Sequence, residues 1–181
     1  MNIIEEIKKL DIGEVKENYD IKKLTTYHVG GKALGLVYPD DVYGLIELLR
    51  FLKENDIKHK VIGRGSNLIF TGNYDGILIR LDRLDDLEIE ENEVRVGAGY
   101  SLVKLAAKMS RAGYSGLEFA TGIPGSVGGS VFMNAGAYKS DMGYIIKSVK
   151  VITPDLKVEE LTKLANAYES FGKKSSNSFT V

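Results

Sequence analysis

Apolar side chains along this chain recur at two different periods, in short stretches separated by glycine, proline and small polar residues. Ile3, Ile4, Ile7 and Leu10 stand at helical spacing and predict a short amphipathic helix ending near Gly13. Gly35–Tyr38 predicts a strand closed by Pro39, after which Asp40 or Asp41 can cap a helix by accepting a hydrogen bond from its free N–H groups. Val42, Leu45, Ile46, Leu49 and Leu52 fall at i, i+3, i+4, i+7 and i+10 and carry that helix to about Asn55. Lys60–Ile62 and Leu68–Phe70 predict strands on either side of a polar glycine loop, and Ile77–Arg80 another after the turn Thr71–Gly76.

Beyond Arg80 a second set begins, as expected if the roughly 60 residues before it are too few to stand comfortably alone. Leu87–Glu90 and Val94–Ala98 alternate at period two and predict a hairpin through Glu91-Asn92-Glu93. Ser101 is placed to cap a helix carrying Leu102, Leu105, Ala106 and Met109, which stops at Gly113. A short helix is predicted from Val127 to Asn134, a long strand from Ile145 to Ile152, a turn at Pro154-Asp155 and a returning strand from Lys157 to Leu161. The pattern is that of an α+β chain with a helix and lead-in over 1–18 and two lobes over 19–83 and 84–163. From Leu164 to Val181 neither period continues, and residues 164–181 are expected to be a poorly ordered polar tail.

Composition narrows the chemistry. The 44% hydrophobic and 27% charged content suits a soluble globular protein, and a net charge of -1 leaves no basic stripe for nucleic acid. No apolar run approaches the roughly 20 residues of a membrane span, and Met1–Glu6 lacks the basic start and apolar core of a signal peptide. A cytoplasmic protein with no membrane partner is expected. The absence of cysteine excludes disulfides, thiolate metal ligands and a cysteine nucleophile. His28 and His59 are the only imidazoles and no carboxylate spacing completes a site around them, so no metal is expected.

The candidate chemistry lies in the glycines. Gly116–Ser130 holds five of them in fifteen residues, with Pro124 among them, and cannot form an ordinary helix or strand. It reads either as a phosphate or pyrophosphate cradle of bared N–H groups, or as a crossover packed closely against a neighbouring strand. Gly63-Arg64-Gly65-Ser66-Asn67 is a second cradle candidate, in which Ser66 and Asn67 can hydrogen-bond a ligand oxygen. It is not the dinucleotide fingerprint, because Leu68 stands where a third glycine is needed and a strand rather than a helix is predicted behind it. Gly30-Gly31 reads as a turn or a plain loop, and Lys32 belongs to no P-loop, since Ala33 follows it and Thr26 replaces the first glycine. Arg64 either touches phosphate or stays solvated, and Glu118 is read as ordering the glycine stretch by accepting its N–H groups. His28 is structural or solvent-facing. Tyr138 either stacks on a ligand or packs.

Taken together, five motifs resemble the UDP-N-acetylenolpyruvoylglucosamine reductase family and, more loosely, the wider vanillyl-alcohol-oxidase type of FAD fold. They are Thr25-Thr26-Tyr27-x-Val29-Gly30-Gly31, Gly63-x-Gly65-Ser66-Asn67-Leu68, Ser115–Phe119, Gly122-Ile123-Pro124-Gly125-x-Val127-Gly128-Gly129 and Asn134–Tyr138, within Tyr19 to Leu161. The resemblance implies FAD bound between two α+β lobes. Its pyrophosphate would be held by backbone N–H groups of Gly63 to Asn67, which include Arg64, Gly65 and Ser66, and of Gly122 to Gly129, and the cofactor-binding residues would also take in Leu68, Thr121, Ile123, Pro124, Gly125, Ser126 and Gly128. Tyr27, Val29, Gly30 and Gly31 would line the cofactor groove, and Asn134, Ala135, Gly136 and Tyr138 would lie near the flavin ring.

In that family NADPH reduces the flavin, which passes hydride to the enolpyruvyl double bond of a UDP-sugar in peptidoglycan synthesis. The family continues into a substrate-binding domain with a serine proton donor and a glutamate. This sequence ends at Val181 and holds neither, so turnover is expected to require a separate C-terminal domain or chain. A family Tyr-Arg pair falls on Phe171-Gly172-Lys173-Lys174, with Lys174 at the arginine position, and lysine lacks the planar fork of donors. The alternative reading is a non-catalytic flavin carrier or redox sensor.

Overall fold

A computed structural model of the chain describes residues 2–91, 93–162 and the pair Phe179–Thr180, and it divides into two compact units, Met1–Leu84 and Asp85–Val181. The first is built on a mixed sheet of β1 (Gly13–Asp20), β2 (Lys32–Pro39), β3 (His59–Ile62) and β4 (Tyr74–Arg80), in the order β1-β2-β4-β3. β1 runs antiparallel to β2, whereas β2 and β3 both run parallel to β4. α1 (Ile3–Lys9) buries Ile4 and Ile7, and α2 (Val42–Glu54) buries Leu45, Leu48, Leu49 and Leu52, as the spacing of its apolar positions requires. Of the two cap candidates Asp41 does the capping, accepting the Gly44 N–H at 2.7 Å, while Asp40 pairs with Arg83.

Neighbouring parallel strands cannot be joined by a tight turn, so the chain leaving β3 must travel back along the sheet before entering β4. Residues 63–73 make that return and place Gly63–Asn67 at the carboxyl end of β3, the end of a parallel sheet at which ligands usually bind. Leu68–Phe70 is not the strand its apolar residues predict. Leu68 and Phe70 pack from the return segment onto the cluster of Ile21, Leu24, Leu36 and Ile62, so their apolar character reflects a loop buried on one side. β1 carried no strand pattern because it is an edge strand, with Glu14, Lys16 and Glu17 around Val15. The Lys16 ammonium lies 5.1 Å from the ring centre of Tyr38 and 5.7 Å from that of Tyr19.

In the second unit the predicted hairpin forms as β5 (Leu87–Glu90) and β6 (Glu93–Val96), with Leu87 opposite Val96. α3 (Leu102–Arg111) begins where Ser101 Oγ accepts the Lys104 N–H, and it buries Leu102, Leu105, Ala106 and Met109 against Phe119, Val127, Val131, Val149 and Val151. α4 (Val127–Phe132) is shorter than predicted, because Asn134 turns out of the helix at φ +44. A small hairpin, β7 (Gly136–Ala137) and β8 (Ser140–Asp141), leads to α5 (Met142–Ile145), so the strand predicted from Ile145 begins only at Val149. β9 (Val149–Ile152) is flanked by β10 (Val158–Leu161) and β11 (Phe179–Thr180). That last pair lies within the stretch expected to be irregular; the rest of 164–181, with Lys174, falls outside the described residues. No helix among the described residues is long and apolar enough to cross a membrane.

Candidate functional site

The first glycine loop is fastened to the segment Leu24–Thr26. Gly65 has φ +73, and a Cβ there would come within 1.9 Å of the Leu24 carbonyl oxygen and 3.0 Å of Thr25 Cα. Only glycine allows this approach, and the Gly65 carbonyl in turn accepts the Thr26 N–H at 3.1 Å. The missing Cβ is thus used by the chain itself. The backbone donors are not: among the described residues, the N–H groups of Gly63, Arg64, Gly65 and Asn67 meet no backbone acceptor. Arg64 is exposed and has no ion-pair partner among the described residues.

Sequence reasoning did not single out Thr25 as a site residue. It is 4% exposed, and its Oγ1 is buried without a hydrogen-bond partner. An unpaired buried hydroxyl costs about 1–3 kcal/mol, so its position beside a loop with open donors marks the same place. A doublet of threonines carries no sequence signal for this, since the orphaned state depends on how the loop closes over it. The nearby Tyr27 and Val29 are half exposed, at 54% and 49%. Gly31 packs where a Cβ would meet Asn73 Oδ1 at 2.1 Å, and its N–H donates to the Gly72 carbonyl. Gly30, at φ +137, lies against Ile21 and Phe70. His28 Nδ1 lies 3.0 Å from the Lys22 carbonyl oxygen, in keeping with a structural role.

The second glycine stretch spends its donors differently. Glu118 orders its start as expected, accepting the Gly116 N–H at 2.8 Å, and Glu118–Gly122 forms a single 3-10 turn closed by Thr121 Oγ1 on the Glu118 carbonyl. Ile123 donates to the Ala120 carbonyl, Val127 to that of Tyr100 and Gly128 to that of Ala98, the last two at 2.8 Å. Gly129 donates to Ser126 Oγ at 3.3 Å, and Gly125, at φ +156, accepts from the Leu102 N–H. A Cβ on Gly128 would meet Ala98 Cβ at 2.8 Å, so the loop is packed as well as bonded. Pro124 has no N–H, so between Gly122 and Gly129 the N–H groups of Gly125 and Ser126 are the ones that meet neither a backbone nor a side-chain acceptor among the described residues. Gly122 is exposed, and a Cβ there would meet nothing within 4 Å.

Asn134 Oδ1 accepts the Gly143 N–H at 3.0 Å, which ties the segment Asn134–Ala135 to the turn that follows β8. Gly136 packs against Asp141, and Tyr138 and Lys139 form the two-residue tip between β7 and β8 at φ +53 and +64. Both tip residues are held in the left-handed region without being glycine, a strained arrangement of the kind that clusters at ligand sites. Tyr138 is 90% exposed, which removes the alternative that it packs within the described chain.

Comparison with known proteins bears on these loops. The family described as "FAD binding domain" matches residues 33–162. A UDP-N-acetylenolpyruvoylglucosamine reductase of Halalkalibacterium halodurans is 44% identical over 168 residues, covering 92% of this chain and 56% of that protein. The chain spans about half the length of the curated relatives it matches. Among solved structures, the UDP-N-acetylenolpyruvylglucosamine reductase of Thermus caldophilus is 28% identical with a TM-score of 0.67, covering 93% of this chain and 59% of that one. A chitooligosaccharide oxidase superposes with a TM-score of 0.71 over 92% of this chain and 38% of its own, at 13% identity, a likeness of fold alone. These bear out the expected α+β fold, and the chain belongs to the FAD binding domain family, with a sequence similar to that part of the UDP-N-acetylenolpyruvoylglucosamine reductases.

Proposed function

We propose that this chain is the FAD-carrying part of an NADPH-dependent reductase of enolpyruvyl UDP-sugars, working in the cytoplasm in peptidoglycan synthesis. The observation that carries the reading is the open set of backbone donors at Gly63, Arg64, Gly65 and Asn67, at the carboxyl end of β3, beside the unpaired Thr25 hydroxyl. A pyrophosphate suits such donors: its oxygens accept from several N–H groups at once, and fixed dipoles hold it without a basic surface, in keeping with a net charge of -1. In the second unit, taken by itself, Gly125 and Ser126 also have N–H groups without an acceptor among the described residues, and the bare Gly122 leaves room for a group to lie against the backbone.

When bound, FAD supplies the hydride chemistry, taking electrons from a nicotinamide and giving them to the substrate double bond. The chain's own residues bind and orient. Gly63–Asn67 would hold the pyrophosphate, Tyr27 and Val29 would offer apolar surface to the cofactor, and the exposed Tyr138 would offer an aromatic ring. No described residue is assigned the proton transfer, which falls to a further domain or chain that also binds the UDP-sugar.

The test is an absorbance spectrum of the purified protein before and after adding FAD, followed by anaerobic NADPH. Retained flavin that bleaches is the expected result. Flavin that stays bound and oxidised would reject the reductase reading in favour of a carrier, and a folded chain that holds no FAD would reject the cofactor site itself.

A further inference from the structure

We propose that the outward face of α3 is a binding site for a small polyanion carrying an aromatic group, of the nucleoside-diphosphate kind. On α1 and α2 three cations pair with a carboxylate one turn away: Lys8 with Glu5, Lys9 with Glu6 and Arg50 with Glu47. α3, with the sequence LVKLAAKMSR, contains no carboxylate. Its Lys104, Lys108 and Arg111 stand at i, i+4 and i+7, in one exposed row opposite the buried Leu102, Leu105, Ala106 and Met109. None of the three has an ion-pair partner among the described residues.

Helix formation accounts for part of this row only, because the macrodipole favours Lys108 and Arg111 in the last turn. Like charges a turn apart weaken a helix, and Lys104 lies in the first turn, where the macrodipole disfavours a cation. Nor is it a sample of a generally basic surface, because the chain as a whole carries a charge of -1.

The row lines an open surface depression of about 390 Å³, whose remaining lining is Tyr100, Val103 and Ala107. That volume lies in the range of small-molecule sites, roughly 300–1,000 Å³. The seven steps from Lys104 to Arg111 span about 10 Å of helix, enough for two linked phosphates with the Arg111 fork at one end. Tyr100 is half-buried and Val103 is 37% exposed, so an aromatic ring can be covered at the same place. Charge and shape together select a ligand that is anionic at one part and flat and apolar at another.

The test uses the full chain, labelled with nitrogen-15 and titrated with ADP, UDP, inorganic pyrophosphate and adenosine. The expected result is saturable shift changes at the amides of 100–111. The nucleoside diphosphates should bind about tenfold tighter than pyrophosphate, a difference of about 1.4 kcal/mol, and adenosine should not bind measurably. In the triple variant K104Q/K108Q/R111Q these changes vanish while the circular dichroism and the FAD titration stay as in the parent. Shifts that persist in the triple variant, that appear only at Gly63–Asn67, or that do not saturate would overturn the proposal. Equal affinity for pyrophosphate and ADP would overturn its aromatic half. Because the site and its readout lie on α3, failure of FAD binding leaves this outcome unchanged.

Discussion

In the Gly63–Asn67 loop the chain closes one glycine against itself and leaves the backbone donors of Gly63, Arg64, Gly65 and Asn67 open among the described residues, whereas around Gly122–Gly129 it engages most of the donors and leaves one glycine open. The two loops look alike as sequences. Their difference separates two services of glycine that composition merges: a missing Cβ permits close approach, and a free N–H permits anion binding, but the two need not coincide at one residue. At Gly65 the approach is made by Leu24, and at Gly128 by Ala98, so both readings of a glycine-rich stretch apply at once, to different atoms.

Substitutions break or sharpen this contrast. The largest effect is expected for Gly65→Ala, which sets a Cβ 1.9 Å from the Leu24 carbonyl at φ +73 and should cost about 3 kcal/mol or more in urea denaturation, whether or not FAD is present. Gly128→Ala should cost less, about 1–3 kcal/mol, because the first clash is with the Ala98 methyl at 2.8 Å. Adding Ala98→Gly should recover part of that loss; no recovery would mean that the glycine answers to something other than this packing.

Thr25→Val keeps the side-chain shape and removes the orphaned hydroxyl, so the FAD-free protein should gain about 1–2 kcal/mol in the same denaturation. A loss instead would show that the hydroxyl has a partner. Gly122→Ala, with open space around its Cα, should leave stability within about 0.5 kcal/mol of the parent. A weakened FAD affinity in that variant would mark Gly122 as a place the cofactor lies against, where a methyl intrudes only on the ligand.

Much of this was legible in the chain. The pattern over Val42–Leu52 and the cap at Ser101 follow from local geometry, and Glu118 could be read as an acceptor because it stands two residues after Gly116. What escaped depends on pairing between distant segments. β1 is a charged edge strand whose pairing with β2 supplies the order its own residues do not announce. Leu68 and Phe70 imitate a strand because they pack on Ile21 and Leu24 from a return segment. The donors that remain open around Pro124 could not be read, since the acceptors that engage Val127 and Gly128 lie at Tyr100 and Ala98, in a stretch with no motif of its own.

Amide hydrogen exchange, resolved by residue with and without FAD, tests the central claim most directly. The account predicts fast exchange at Gly63, Arg64, Gly65, Asn67 and Gly125 in the free chain, strong protection of these on adding FAD, and slow exchange at Val127 and Gly128 in both states. Protection that appears only at 127–129, or no change at Gly63–Asn67 under saturating FAD, would contradict it.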